Sequence, residues 1–197
     1  MTRDDLDEVV SLLVAAFYDR PFYRYIAPDS AERYAFLVAN FHQRITQGLG
    51  VQETDLALLD GKAAGVAVWS PPATLEADAA KHAARDRAME ESLAPYSSGL
   101  RERFLAFIKV LTGAQEQTVK QPFWGLTPIA VLPEARGKGI ASALIRKKLK
   151  EIDELSLPCF LGTQDKINVT IYERFAFQKL REDALSPDIT HYTMVRP

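Results

Sequence analysis

The sequence VLPEARGKGIASALI at positions 131–145 decides the fold of this chain. An apolar run, Ile129-Ala130-Val131, leads into it and is closed by Pro133, a pattern that favours a strand. After it, apolar residues recur at a helical period, at positions 140, 144, 149, 152 and 155. The stretch therefore predicts a strand, a tight turn and an amphipathic helix.

The turn places two glycines and two cations in four residues, Arg136-Gly137-Lys138-Gly139. It lies where the following helix must still pair its first backbone N–H groups, and glycine lets the backbone curl so that these groups converge. The positive end of the helix dipole adds to the charge of the two side chains. The turn therefore predicts an anion site.

The spacing of this turn separates three kinds of phosphate-binding loop. A P-loop needs Gly-Lys followed by Ser or Thr, which the chain lacks, and a dinucleotide fingerprint from Gly137 needs Gly or Ala where Ser142 stands. The pattern Arg-x-x-Gly-x-Ala fits instead, with Arg136, Gly139 and Ala141. On this loop alone, a basic turn that merely starts a helix remains the alternative.

A second motif, NVTIYERFAF at 168–177, follows the apolar run Pro158-Cys159-Phe160-Leu161. The run predicts a buried strand. Asn168 has the chemistry of a helix N-cap, and Tyr172 follows one turn later on the same face. The motif therefore predicts a second short helix that presents an amide and a phenol together.

The two motifs together resemble the signatures of the GNAT superfamily of acyl-CoA N-acyltransferases. The resemblance implies an α/β (α+β) fold with a mixed, mostly antiparallel central sheet, flanked by helices and opened beside the strand at 123–131 to admit pantetheine. It also implies that loop N–H groups hold the diphosphate of coenzyme A, that Asn168 contacts the pantetheine arm, and that the Tyr172 hydroxyl protonates the departing thiolate. The implied acetyl-CoA contacts are Ile129, Ala130, Val131, Arg136, Gly137, Lys138, Gly139, Ile140, Ala141, Ser142 and Asn168.

Two positions depart from the superfamily pattern. Ala176 stands where the signature has glycine, which is costly if that residue needs a positive φ. Gly162 stands where relatives with a similar strand often carry a glutamate that helps to bind or deprotonate the amine, so the motif does not identify a base. The order of AVWSPP at 67–72, the loop and the second motif is similar to that in puromycin N-acetyltransferase-like proteins.

The composition, 47% hydrophobic and 25% charged over residues 1–197, predicts a single domain with one core. A net charge of −2 predicts no attraction to nucleic acid or to an anionic membrane. The single cysteine, Cys159, predicts a buried thiol rather than a nucleophile. Three dispersed histidines predict no metal site, and the absence of a signal peptide or membrane-spanning run predicts a cytoplasmic protein.

The rest of the chain predicts further helices and a hairpin. The first helix is predicted to start at a Thr2–Asp5 capping box and to stop near residues 19–21, and further helices are predicted from 29 or 30 to 48, 74 to 93 and 98 to 111. Asp60-Gly61 predicts the hairpin turn. Asp19 and Glu53 are the acidic candidates for holding an ammonium group. Aromatic residues predict either the wall of an acceptor pocket or simple helix packing: Phe22, Tyr23, Tyr25, Tyr34 and Trp124.

These features predict acetyl-CoA-dependent N-acetylation of a small-molecule amine. Because the lone cysteine offers no exposed nucleophile, we expect direct transfer within a ternary complex. The alternative is a non-catalytic acyl-CoA-binding or regulatory domain, suggested by the missing carboxylate at Gly162. Sparse acidic residues favour a partly apolar amine over a polycation, and the sequence leaves a homodimer open.

Overall fold

The computed structural model describes residues 5–72, 87–119 and 122–197. The predicted helix at 74–93 is helical over its described part, 87–93, and the rest of it lies outside the described residues. The remaining elements, in chain order, are α1 (Leu6–Phe17), α2 (Pro21–Ile26), α3 (Ser30–Gly48), β1 (Glu53–Leu59), β2 (Lys62–Ser70), α4 (Ser98–Thr118), β3 (Trp124–Val131), a 3₁₀ turn (Pro133–Ala135), α5 (Ile140–Glu154), β4 (Cys159–Thr163), α6 (Lys166–Glu173), β5 (Gln178–Ser186) and β6 (Ile189–Arg196).

The described strands form one six-stranded sheet with the order β1-β2-β3-β4-β6-β5. Neighbouring strands are antiparallel except for β3 and β4, which are parallel. The loop and α5 connect these two strands, because a parallel pair needs a crossover. The predicted mixed, mostly antiparallel sheet flanked by helices is confirmed.

β3 and β4 pair over a short segment and then separate. Trp124 pairs with Cys159 and Gly125 with Phe160, and no further pair joins these two fully described strands, although β3 continues to Val131. On its other edge β3 stays paired with β2, where the register shifts at Thr127-Pro128. Such a bulge bends a strand, and proline has no N–H to donate to a neighbour. The sheet is therefore split beside the second half of β3.

The two faces of β2 organise the core, because successive side chains of a strand point to opposite sides. Val66 and Val68 pack with α1 and α3, whereas Ala67 and Trp69 pack with α5 on the other face. A third buried cluster joins α2, α3 and α4 to Ile189 at the start of β6. The N-terminal helices are therefore held both to the sheet and to α4.

Most of the predicted elements are present, with two corrections. α3 is confirmed, and the Asp29 carboxylate caps it by accepting a hydrogen bond from the Glu32 N–H at 2.8 Å. Tyr34, which the sequence predicts in a pocket wall or between packed helices, is instead 58% exposed on α3. The helix predicted to end at residue 111 continues to Thr118, and the burial of Ala114 shows that this extension packs against the protein. Nowhere in the described ranges does a helix combine the length and the apolar composition of a membrane span.

Candidate active site

The loop between β3 and α5 has the backbone of an anion site. Gly137 and Gly139 have φ angles of 77° and 78°, a region that favours glycine. Gly139 is the N-cap residue of α5 and offers no side-chain cap, so the first N–H groups of the helix are left for a ligand. The predicted order of strand, turn and helix is confirmed.

A close contact with β2 fixes the position of this loop. A Cβ atom at Gly65 would lie 2.6 Å from Ile140 Cγ2 and 3.3 Å from the Ala130 carbonyl oxygen. Because the first distance is too short for a side chain, glycine at 65 is what lets the start of α5 approach the sheet. The Leu132 N–H also donates to the Ala64 carbonyl oxygen at 2.9 Å.

A cavity of about 1330 Å³ follows the split in the sheet. Its wall includes the separated part of β3 and residues of β4 and α6. Of the predicted acetyl-CoA contacts, the wall contains Ile129, Ala130, Val131, Arg136, Ala141 and Asn168. The other predicted contacts, Gly137, Lys138, Gly139 and Ile140, connect Arg136 to Ala141, and Ser142 follows in α5 without lining the wall. The fold therefore brings both sequence motifs to one cavity.

The helix α6 begins earlier than the sequence motif predicts. Asn168 as N-cap is wrong: the cap is Asp165, whose carboxylate accepts a hydrogen bond from the Ile167 N–H at 3.2 Å. Aspartate caps as well as asparagine, and it stands three residues sooner. The Asn168 amide instead donates to the Thr163 hydroxyl at 3.1 Å. Asn168 and Tyr172 nevertheless line the same cavity one helical turn apart.

Tyr172 is 8% exposed and lines the cavity from α6. Burial, assisted by the Asp165 carboxylate, raises the pKa of its phenol to about 12. The phenol therefore keeps its proton at neutral pH and can donate it. Its ring packs edge-on against Phe177, with 5.9 Å between the ring centroids.

A Schellman motif ends α6 directly beside Tyr172. The Phe177 N–H donates to the Tyr172 carbonyl oxygen at 3.3 Å, and the Ala176 N–H donates to the Glu173 carbonyl oxygen at 3.0 Å. Ala176 has a φ of 62°, so the residue that departs from the family signature does adopt the left-handed conformation. The motif holds Tyr172 at the expense of strain in one alanine.

Gly162 on β4 lines the cavity, and a histidine occupies the space beside it. A Cβ atom at Gly162 would lie 2.4 Å from Cε1 and 3.0 Å from Nε2 of His191, a fully buried residue of β6. His191 Nδ1 lies 2.8 Å from the side-chain nitrogen of Gln164. Burial lowers the pKa of His191 to about 4, with Asp183 opposing the shift and Arg181 adding to it. The imidazole is therefore neutral at pH 7.

The acceptor wall is only partly the one predicted. Phe22 and Tyr23 do line the cavity. Tyr25, Tyr34 and Trp124 do not: the Tyr25 hydroxyl donates to the Leu185 carbonyl oxygen at 2.9 Å, Tyr34 is exposed, and Trp124 is buried in the core. Further aromatic residues complete the wall, and these include Phe36, Phe41, Tyr96, Phe104, Phe107, Phe123 and Phe160.

The predicted ammonium ligands are wrong, because both carboxylates pair with other cations away from the cavity. Asp19 lies 2.8 Å from Arg24, and Glu53 pairs with Lys148 of α5. Lys148 is itself buried, with its ammonium nitrogen 4.6 Å from the centre of the Trp124 ring. This pair therefore fastens α5 to the sheet rather than serving a ligand.

The charges that line the cavity are nearly balanced. Among the described residues, its wall carries the acidic side chains Glu116, Asp165 and Asp188 and the basic side chains Arg20, Arg44, Arg136 and Lys166. Some of these are paired within the wall, since Arg20 lies 3.3 Å from Asp165. Within the same described ranges, no group of three or more residues that could hold a metal ion occurs.

The chain thus combines a mostly antiparallel sheet, split beside its third strand, with a glycine-rich turn that opens a helix. The chain belongs to the acetyltransferase (GNAT) family, whose profile matches residues 11–177. This membership confirms the resemblance that the two sequence motifs carry.

Solved acetyltransferase structures share this fold. The chain is similar to the histone acetyltransferase HPA2 and related acetyltransferase from Corynebacterium glutamicum, with a TM-score of 0.68 and 24% identity over 100% of this chain and 93% of the other. The polyamine N-acetyltransferase of Drosophila melanogaster, which forms N-acetylagmatine, has a TM-score of 0.64 and 16% identity to this chain, over 98% of this chain and 94% of the other. The PaiA N-acetyltransferase of Thermoplasma acidophilum, in complex with coenzyme A, has a TM-score of 0.60 and 10% identity, over 100% of this chain and 94% of the other. At these identities the likeness establishes the fold.

Besides the further aromatic residues of the wall, the cavity residues Pro128, Gln164 and His191 were not predicted from the sequence. Pro128 carries a local signal, because a proline inside a strand indicates a bulge or an edge. Gln164 and His191 carry none, since they meet only because β6 pairs with β4. Their role becomes visible only with the register of that strand pair.

Proposed function

We propose that residues 1–197 form one N-acetyltransferase domain that transfers the acetyl group of acetyl-CoA to the amine of a small, partly apolar molecule. One observation carries this proposal: a single cavity joins Arg136 of the anion loop to Tyr172. Its volume, about 1330 Å³, exceeds the roughly 300–1,000 Å³ of an ordinary small-molecule site. A cavity of that size suits donor and acceptor held together in a ternary complex.

The acetyl-CoA donor would be held largely by main-chain groups. Beyond Gly125, β3 has no pairing with β4, so an extended pantetheine arm can pair with this edge as an added strand does. The loop N–H groups and the Arg136 guanidinium suit the diphosphate. The proposed contacts are Ile129, Ala130, Val131, Arg136, Gly137, Lys138, Gly139, Ile140, Ala141, Ser142 and Asn168.

In acetyl transfer, a neutral amine attacks the thioester carbonyl and loses a proton. The carbon–sulfur bond then breaks, and the departing thiolate gains a proton. Tyr172 is the proposed acid, because its phenol lines the cavity and remains protonated. Cys159 is unsuited to a covalent relay: it is buried, and burial raises the pKa of its thiol to about 12. These properties support direct transfer from acetyl-CoA to the amine.

The proposed acceptor follows from the character of the wall. Aromatic rings such as Phe22, Tyr23 and Phe107 supply apolar faces that suit an aliphatic or aromatic amine. A polyamine, aminoglycoside or lysine-rich peptide would need a concentration of negative charge, and the described wall is balanced in sign. We therefore expect a monoamine to be preferred.

Turnover tests the proposal directly. Purified protein is incubated with acetyl-CoA and a panel of aromatic amines, aliphatic monoamines, polyamines, aminoglycosides and lysine peptides, and released thiol is measured together with the acetylated product. We expect the highest kcat/KM for a monoamine. A higher kcat/KM for a polycation would refute the acceptor class, and tight acetyl-CoA binding without any product would favour the non-catalytic alternative.

A further inference from the structure

His191 brings an imidazole into the cavity at a place where β4 itself provides no side chain. The ring lies against Gly162, since a Cβ atom there would be 2.4 Å from Cε1. His191 is fully buried from solvent, yet it lines the cavity. Glycine at 162 is therefore the condition for this ring position, and any larger residue at 162 would displace the ring.

The two ring nitrogens have different surroundings. Nδ1 lies 2.8 Å from the side-chain nitrogen of Gln164, whereas no described group forms a hydrogen bond with Nε2. A buried polar atom without a partner is costly, and although Nε2 is buried from solvent, the residue that carries it lines the cavity, where a ligand atom can complete its hydrogen bonding. The unpaired nitrogen thus marks a contact for whatever occupies the cavity.

Gln164 can serve both protonation states of this ring. Its amide nitrogen donates to Nδ1 when Nε2 carries the hydrogen. A half-turn of the amide places its oxygen at the same point, where it accepts from an Nδ1–H and leaves the lone pair on Nε2. The same oxygen also pairs with Nδ1–H once Nε2 has taken up a proton. The amide is therefore a suitable orienting partner for a ring that gains and loses a proton.

The surroundings of the ring are uncharged on one side and carry a paired acid and base on the other, and they keep the ring uncharged at neutral pH. From α4, Phe107 faces His191 with 5.8 Å between the ring centroids, and Leu111 reaches the same place; neither carries a charge. The charged neighbours, Asp183 and Arg181, lie on β5 and pair with each other at 2.7 Å. An uncharged imidazole has the lone pair that proton acceptance requires.

We propose that His191 Nε2 accepts the proton of the attacking amine in the transfer reaction, with Gln164 as the residue that orients the ring. This inference rests on the proposed function. The amine nitrogen bonds to the thioester carbonyl carbon, the carbon–sulfur bond breaks, the nitrogen gives its proton to Nε2, and Tyr172 gives its proton to the sulfur. Water then returns one proton to Tyr172 and removes the other from His191.

The variant His191→Asn tests this role, because asparagine retains a polar side chain but cannot take up a proton near neutral pH. We expect kcat to fall about 10²–10⁴-fold, the range for general base catalysis, with the affinity for acetyl-CoA unchanged. Because hydroxide must then take the proton, log kcat should rise with pH at unit slope where the wild type is flat. His42→Ala is the matched control, since His42 is exposed on α3 outside this cavity.

A transplanted base separates catalysis from packing. Gly162→Glu alone should collide with His191 and lose activity, whereas Gly162→Glu combined with His191→Ala places a carboxylate in the vacated space and should recover at least tenfold over His191→Ala. A His191→Asn protein with wild-type kcat and pH profile overturns this inference alone. A wild-type protein that acetylates no amine overturns the proposed function and this inference with it, while failure of the double variant to exceed His191→Ala also counts against the inference.

Discussion

Replacing Ala176 by glycine should stabilise the protein, although the alanine is a natural part of a well-formed helix end. Ala176 has a φ of 62° and donates its N–H within the Schellman motif that closes α6. The left-handed conformation costs an L-residue roughly 1–2 kcal/mol. Glycine removes this cost but loses roughly 0.4–1 kcal/mol through the greater freedom of the unfolded chain. The expected net gain is about 1 kcal/mol in the free energy of unfolding.

Urea denaturation followed by circular dichroism measures this gain, and the melting temperature should rise by about 2–4 °C, the usual shift for ~1 kcal/mol in a protein of this size. The matched control is Ala15→Gly, at an exposed position inside α1. There the alanine is unstrained, so glycine should destabilise by about 1 kcal/mol. If Ala176→Gly destabilised the protein as much as Ala15→Gly, the argument from backbone strain would be wrong.

Three further predictions concern the cavity. Tyr172→Phe should lower kcat about 10²–10⁴-fold with acetyl-CoA affinity and melting temperature retained; unchanged kcat, when chemistry limits turnover, would remove Tyr172 from the mechanism. Gly139→Asp should nearly abolish acetyl-CoA binding in calorimetry by placing a like charge beside the diphosphate, whereas Gly139→Asn, which tolerates the same φ without the charge, should bind at least about tenfold better. The pKa of His191 falls from 6.5 to about 4 on folding, so the unfolded state binds one more proton than the folded state as the pH drops through this range. Between pH 6.5 and 4, the free energy of unfolding of the wild type should therefore fall by up to about 3 kcal/mol more than that of His191→Asn. Equal losses in the two proteins would contradict the buried, neutral ring.

The centre of the fold could be predicted because its physics is local. A strand closed by proline, a turn with two glycines and a helix with an apolar stripe are each specified by neighbours in the chain. The strand β3, the turn and the helix α5 are all present, because each depends little on distant contacts. The cap of α6 shows the limit of local rules, since Asp165 and Asn168 are equally good caps and the strand before them decides where the helix begins.

The acceptor wall could be predicted only in part, because adjacent aromatic residues on a short helix point in different directions. Phe22 and Tyr23 reach the cavity, but Tyr25 turns toward β5 and donates to the Leu185 carbonyl. The prediction that Glu53 holds an ammonium group of the acceptor failed because its partner, Lys148, lies 95 positions away in the sequence. Such pairings depend on how helices cross the sheet, which composition and periodicity do not specify.

Gly162 shows why a missing residue in a motif is weak evidence against catalysis. In the sequence, glycine at this position removes a carboxylate and supports a non-catalytic alternative. In the fold, the same glycine leaves the space occupied by His191 of β6, a residue that lines the cavity and has one unpaired ring nitrogen. Since an active site needs a chemical group at a point in space rather than at a position in the chain, a neighbouring strand can supply it. Because Gly162 and the His191 ring share one space, a carboxylate at position 162 fits only when the ring is removed, which is why Gly162→Glu is combined with His191→Ala.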